Sequence, residues 1–153
     1  MPQLTVIQQS VLQHIPRLNL PADARVLDAP CGAPAALTLA LEAKGFSVIG
    51  ADLDETAALT LGKAFARVDL NAPLPWPDDS FDLAISTEGI EHLENHFTFF
   101  REFLARAPAK WHPDRDNTKY HCSAVAGTFL WKWFLRPRCS AAERVRPPPA
   151  PPY

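Results

Sequence analysis

The sequence lacks any apolar run approaching the ~20 residues that a membrane-spanning helix requires. Its first residues show no basic stretch followed by an apolar one, so no secretory signal is expected. Cysteine is scarce: Cys31, Cys122 and Cys139 form an odd count at no metal-like spacing. That disfavours a disulfide framework or a zinc site and fits a reducing, cytoplasmic setting. Neither GxGxxG nor HExxH occurs, so the phosphate-cradling turn and the helical zinc pair are both missing. What is present is ordinary globular composition. The 153 residues are 47% hydrophobic and 21% charged with net charge -2, enough for one domain of modest core.

The averages conceal a split near residue 104. Residues 1–104 hold 6 Lys+Arg and 14 Asp+Glu, whereas residues 105–153 hold 9 and 3. Six of the 16 prolines fall within residues 137–153. Such a reversal signals either a basic, nucleic-acid-binding tail or two unrelated stretches joined together. The Trp131/Trp133 pair beside Lys132 could stack on bases, but no recognisable module frames it, so nucleic acid is disfavoured. The expected division is therefore residues 1–104 as a folded part and residues 105–153 as a basic, Pro-rich, irregular tail.

Within residues 1–104, helical and strand patterns alternate. Residues 4–15 place Val6, Ile7, Val11, Leu12 and Ile15 on one helical face. Strands are expected at Arg25–Asp28, Phe46–Asp52, Ala66–Asp69 and Phe81–Ser86. Helices are expected over 34–44, closed by Gly45, over 54–64, capped by Asp54, and from Glu88 to about Ala105. In the last of these, Ile90, Leu93, Phe97, Phe100 and Leu104 recur at helical spacing. This alternation predicts an α/β fold with parallel strands in one sheet.

In open parallel sheets, ligands bind beyond the carboxyl ends of the strands. Those ends read Asp28-Ala-Pro-Cys-Gly32, Asp52-Leu-Asp54, Asp69-Leu-Asn71 and Ser86-Thr-Glu-Gly89. Three of the four open with an acid. Such a site suits a ligand carrying a positive charge and several hydroxyls, and it would repel a pyrophosphate. The bland alternatives are a helix N-cap or solvated strand end for Asp28 and Asp52 and a Pro-rich turn for Asp69. Glu88, Glu91 and His92 suggest an acid–base or metal cluster. Glu88 and His92, four apart on a helix, are more simply a local pair.

These same stretches resemble a family. Val26-Leu-Asp-Ala-Pro-Cys-Gly32 and Val48-Ile-Gly-Ala-Asp52 look like the first two motifs of class I S-adenosylmethionine-dependent methyltransferases. Asp69 through Asp82, Thr87-Glu-Gly-Ile-Glu-His-Leu-Glu-Asn95 and Phe100-Arg-Glu-Phe103 continue the pattern in the manner of the methyltransferase type 11-like group. The resemblance covers roughly residues 20–104. It implies the first four strands of a Rossmann-like sheet, S-adenosyl-L-methionine as cofactor and a small-molecule methyl acceptor. It further implies a cofactor site made by Asp28, Ala29, Gly32, Asp52, Leu53, Asp69, Leu70 and Glu88. Asp28 would face the cofactor's amino group, directly or through water, and Gly32 would permit close backbone approach. Asp52 would take the ribose hydroxyls, Asp69 and Leu70 would meet the adenine, and Glu88 would lie near the acceptor. Pro30 and Pro34 stand where the family usually has glycine. No residue is singled out as a catalytic base.

In the family, the last helix runs into Arg-Val-Leu-Lys-Pro-Gly-Gly and a fifth strand. Here Ala105 to Lys119 carries no strand pattern. Shifting the degenerate codons for Ala105–His121 forward by one base allows Arg-Val-Leu, then Arg or Gln, Pro, Asn or Ser, and Gly at the Trp111–His112 junction. An apolar run ending in Pro-Asn can follow. A change of reading frame at about Leu104 is therefore expected, with no matching fifth strand and with Leu83 and Ile85 left on an exposed edge. The competing expectations are a non-catalytic fragment and, third, a nucleotide-dependent oxidoreductase.

Overall fold

Arg25–Asp28 (β1) is central to the sheet: parallel strands pair with both of its edges, and helices cover both of its faces. The computed structural model describes residues 2–107 and, as backbone, residues 124–126. The remaining strands are Ser47–Asp52 (β2), Phe65–Arg67 (β3), Leu83–Ser86 (β4) and Ala124–Ala126 (β5), in the order β3-β2-β1-β4-β5. All four pairings are parallel. The chain steps outward from β1 to β3, then returns across the sheet to β4. That reversal places a topological switch point between β1 and β4, where a crevice opens at the carboxyl ends.

Alternation along β1 explains the two layers. Val26 packs with Val48, Leu83 and Ile85 under helices Val6–His14 (α1) and Ala36–Glu42 (α2), which contribute Val11, Leu37 and Leu41; Ile15 follows α1. Leu27 faces the opposite layer, where Phe99 and Phe103 of helix His96–Arg106 (α4) meet Val68, Leu70, Leu74 and Phe81. A smaller cluster joins Cys31 and Ala35 to Ala57 and to Leu61 of the short helix Ala58–Leu61 (α3).

Four expectations change. First, the sheet does gain a fifth strand, because Ala84, Ile85 and Ser86 pair with Ala124, Val125 and Ala126. Leu83 and Ile85 are fully buried rather than left on an edge, since α1 and α2 cover their side chains. Second, the helix expected from Glu88 splits into a 3-10 turn at Ile90–His92 and α4, separated by extended Leu93 and by Asn95, whose side chain accepts from the Thr98 N–H. The break resets the helical phase. Phe99 and Phe103 are therefore the buried positions of α4, while Phe97 is exposed. Third, the 54–64 helix is short α3 flanked by two 3-10 turns, with Asp54 capping the first turn as expected. Fourth, Val6 lies outside the apolar face of α1, at 82% exposure. Cys122, Cys139, the Trp131/Trp133 pair, the Pro-rich end and residues 110–118 lie outside the described residues.

The Pro-rich loop between β3 and β4 is tied to α4 by Arg106. Its guanidinium donates to Asp78 at 2.6 Å, Glu102 at 2.8 Å and the Leu74 carbonyl at 3.1 Å. Among the described residues, no helix is long and apolar enough to cross a membrane.

Candidate functional site

Each strand end turns differently, and the turns together enclose one cleft of about 550 Å³. That volume lies within the usual range for a small-molecule site. After β1, the chain folds back so that the Cys31 N–H donates to the Ala51 carbonyl at 2.9 Å and the Gly32 N–H to Asp52 Oδ2 at 2.9 Å. Gly32 has φ +58°, a conformation that favours glycine, and a Cβ built there would meet nothing within 4 Å. The cleft therefore has room directly over this backbone.

Asp52 ends β2. Its second oxygen, Oδ1, accepts from the Asp54 N–H at 3.1 Å. Each carboxylate oxygen thus takes one backbone N–H and retains acceptor capacity toward the cleft. Leu53 follows and lines the wall while 57% exposed. Asp69 Oδ1 accepts from the Asn71 N–H at 2.9 Å, so the bland Asx-turn reading holds for that oxygen. Leu70 is buried in the α4 layer and also borders the cleft. Beyond β4, Glu88 adopts φ +56° and is exposed on the opposite wall. Gly89 follows it, and a Cβ there would overlap the Pro30 ring. The first and fourth strand-end turns are thereby locked together.

The structure brings six of the eight expected residues to the cleft: Gly32, Asp52, Leu53, Asp69, Leu70 and Glu88. Asp28 and Ala29 are not among its lining. Both are fully buried beneath the turn, and Asp28 Oδ2 accepts from the Thr38 hydroxyl at 2.6 Å. Asp28 Oδ1 has no partner among the described residues. Burial pushes the Asp28 carboxyl up to about 7; the Thr38 bond opposes this, and the Asp52 charge adds to it. Burial, then the charges of Asp28 and Asp52, raises the Cys31 thiol to about 12, which keeps it protonated and removes it as a nucleophile at neutral pH.

His92 reaches the cleft, but it sits on the 3-10 turn and not four residues along a helix from Glu88. Glu88 instead accepts from the Thr5 hydroxyl at 3.2 Å. Among the described residues, no three His, Cys, Asp or Glu side chains are arranged to hold a metal ion. Sequence reasoning missed Gln3, Thr5 and Gln8, which form a wall from the amino-terminal segment. A capping box at Thr5 and Gln8 was legible in the sequence as a helix start, but nothing local placed that start over the strand ends.

Comparison with known proteins agrees with this geometry. The YcgJ protein of Bacillus subtilis superposes with a TM-score of 0.55 at 25% identity, over 65% of this chain and 46% of that one. An S-adenosylmethionine-dependent methyltransferase of Mesorhizobium loti gives 0.50 at 28% identity, over 61% and 48%. A Methanococcus maripaludis protein gives 0.57 at 23% identity, over 66% and 50%, and shares the fold alone. The chain spans about half the length of these structures. No curated protein matches the sequence. The methyltransferase domain family matches residues 27–106, the stretch that builds β1 to β4 and the turns around the cleft, and the chain belongs to that family.

Proposed function

We propose that the cleft binds S-adenosyl-L-methionine, that residues 1–104 are the cofactor-binding part of the molecule, and that the reaction served is methyl transfer to a small-molecule acceptor in a reducing, cytoplasmic compartment. The observation that carries this is the convergence of four separate strand-end turns on one cleft, with Asp52, Asp69 and Glu88 on its wall and neither Lys nor Arg among the described lining. The residues present fit the cofactor. Open space over Gly32 leaves room for a close ligand, and Asp52 offers acceptor lone pairs suited to paired hydroxyls. Leu53, Val68 and Leu70 offer an apolar surface for a flat ring.

When bound, the cofactor supplies an electrophilic methyl on a sulfonium. The chain's own residues position and select. Asp52, held by two backbone N–H groups, binds hydroxyls in a fixed orientation. Asp69 keeps an oxygen for an exocyclic amine. Buried Asp28 fixes the turn from below through Thr38, and the Gly89–Pro30 contact fixes it from the side. Positioning of this kind supplies much of the catalysis for an in-line transfer.

A second reading, a non-catalytic fragment, is favoured by the end of the family match at residue 106 and by the half-length cover of the solved structures. Titration calorimetry with S-adenosylmethionine and with NAD separates the readings. Heat from S-adenosylmethionine alone is expected. Binding of NAD alone overturns the proposal, and binding of neither favours the fragment.

A further inference from the structure

The amino-terminal segment lies outside the family match, yet it reaches the cleft through Gln3, Thr5 and Gln8. The far part of this segment is firmly seated. Val11 and Ile15 are each 4% exposed in the sheet's α1 layer. Its first turn is held less tightly: Val6 is 82% exposed, and Leu4, just before the cap, is only partly buried against the same core. What reaches across from that turn is the Thr5 hydroxyl, which accepts from the Gln8 N–H at 3.2 Å and donates to Glu88 Oε2 at 3.2 Å, a partner 83 residues away. Glu88 is itself constrained. Its backbone sits at φ +56°, where a non-glycine residue is strained, and the next residue is packed on Pro30.

We infer that Thr5 is a positioning residue of the cleft: from the cap of α1 it fixes the Glu88 carboxylate on the acceptor-side wall and, in return, holds the first turn of α1 over the cleft mouth. This rests on the proposed reading of the cleft for its functional meaning, and on the Thr5–Glu88 bond for its physical content. Acceptor selection then draws on the Gln3 amide and on the amide N–H groups of Gln8, whose oxygen is held by the Thr5 N–H at 3.1 Å, both carried on a segment outside the matched family region.

The bond's two ends can be tested apart. Glu88→Asn shortens the side chain beyond reach while suiting the left-handed backbone, and it leaves the sequence of α1 untouched. Amide hydrogen exchange on the ligand-free full chain should then show Gln8 and Gln9, whose N–H groups donate to the Thr5 side chain and carbonyl, exchanging about three- to tenfold faster, the range for losing one net hydrogen bond, with β1 unchanged. Thr5→Val should do the same or more, because it also removes the cap, and Thr5→Ser should restore wild-type exchange. Calorimetry with S-adenosylmethionine should show Thr5→Val weakened and Thr5→Ser recovered. Unchanged exchange at Gln8 and Gln9 in Glu88→Asn overturns the Thr5–Glu88 latch, whatever the protein binds. Faster exchange in Glu88→Asn, together with no uptake of S-adenosylmethionine by the wild-type chain, upholds the latch and overturns the reading of the cleft.

Discussion

Asp28 and Asp52 are both strand-end acids, but their surroundings give them different work. Asp28 is sealed in the protein, and its carboxyl rises from an ordinary 3.8 to about 7. An acid whose pKa is higher folded than unfolded holds its proton more tightly in the native state. Between about pH 4 and 7 the native state therefore binds more protons, and stability falls as pH rises through that window. The interval corresponds to roughly 4 kcal/mol as an upper figure. Asp28→Asn, which cannot ionise, should flatten this slope. Urea midpoints of both proteins at pH 5 and pH 8 measure it, and parallel slopes would show that Asp28 ionises freely. Asp52, half-buried at the cleft wall, should instead govern affinity. Asp52→Ala is expected to cost about 1.5–3 kcal/mol of S-adenosylmethionine binding, a ten- to hundredfold weaker Kd by calorimetry. Asp54→Ala, two residues on, loses only the cap to Thr56 and should bind nearly as well as wild type. Equal losses in the two variants would mean that Asp52 acts through the turn and not on the ligand.

At the scale of elements, α4 and the Pro-rich loop depend on one side chain. The Arg106 head is 9% exposed, with Glu102 at 20% and Asp78 at 74%. Removing the cation leaves the Leu74 carbonyl without this donor and Glu102 with only the long Leu74 N–H bond at 3.4 Å, so Arg106→Met should destabilise the fold by about 1–3 kcal/mol. Asp78→Ala should lose no more than about 1 kcal/mol, because the exposed partner is solvated in either state. Urea unfolding of the two variants checks the order, and a larger loss in Asp78→Ala would contradict it. The elements were unequally legible in the sequence. β1 lies where its apolar run and Pro30 put it, and β2 and β4 lie within a residue or two. The last helix does not, because apolar spacing cannot register the extended Leu93 and the Asn95 cap that restart its phase.

At the scale of the whole molecule, the family match stops at residue 106, close to the composition break at residue 104. β5, Ala124–Ala126, pairs with β4 further along the chain than the shifted frame places its own strand. A frame change at about Leu104 makes a prediction about the gene. Read one base forward, the codons for Thr118, Lys119 and Tyr120 should give Pro followed by Asn, after an unbroken apolar run. Both sites are free, since Pro requires one choice of third base in the Thr codon and the next triplet gives Asn or Ser. A stop codon or a run of charged residues in that frame, read by sequencing the DNA, would restore the basic tail as a feature of the protein in its own right.

The amino-acid sequence by itself determined the parallel α/β class, the ends of β1, β2 and β4, and six of the residues that meet at the cleft, while β3 ends at Arg67, two residues before the expected Asp69. These follow from local rules: apolar runs of strand length, helix caps, and glycine or proline at turns. Only the tertiary structure decided that Asp28 lies beneath the turn instead of in the cleft, since burial depends on what covers a residue and not on its neighbours in sequence. It alone brought Thr5 to Glu88, because a side-chain hydrogen bond across 83 residues leaves no periodic trace in the chain. It also decided that Leu83 and Ile85 are covered. The helices that bury them come from earlier in the sequence, and their position is set by the return of the chain from β3 to β4 across the sheet.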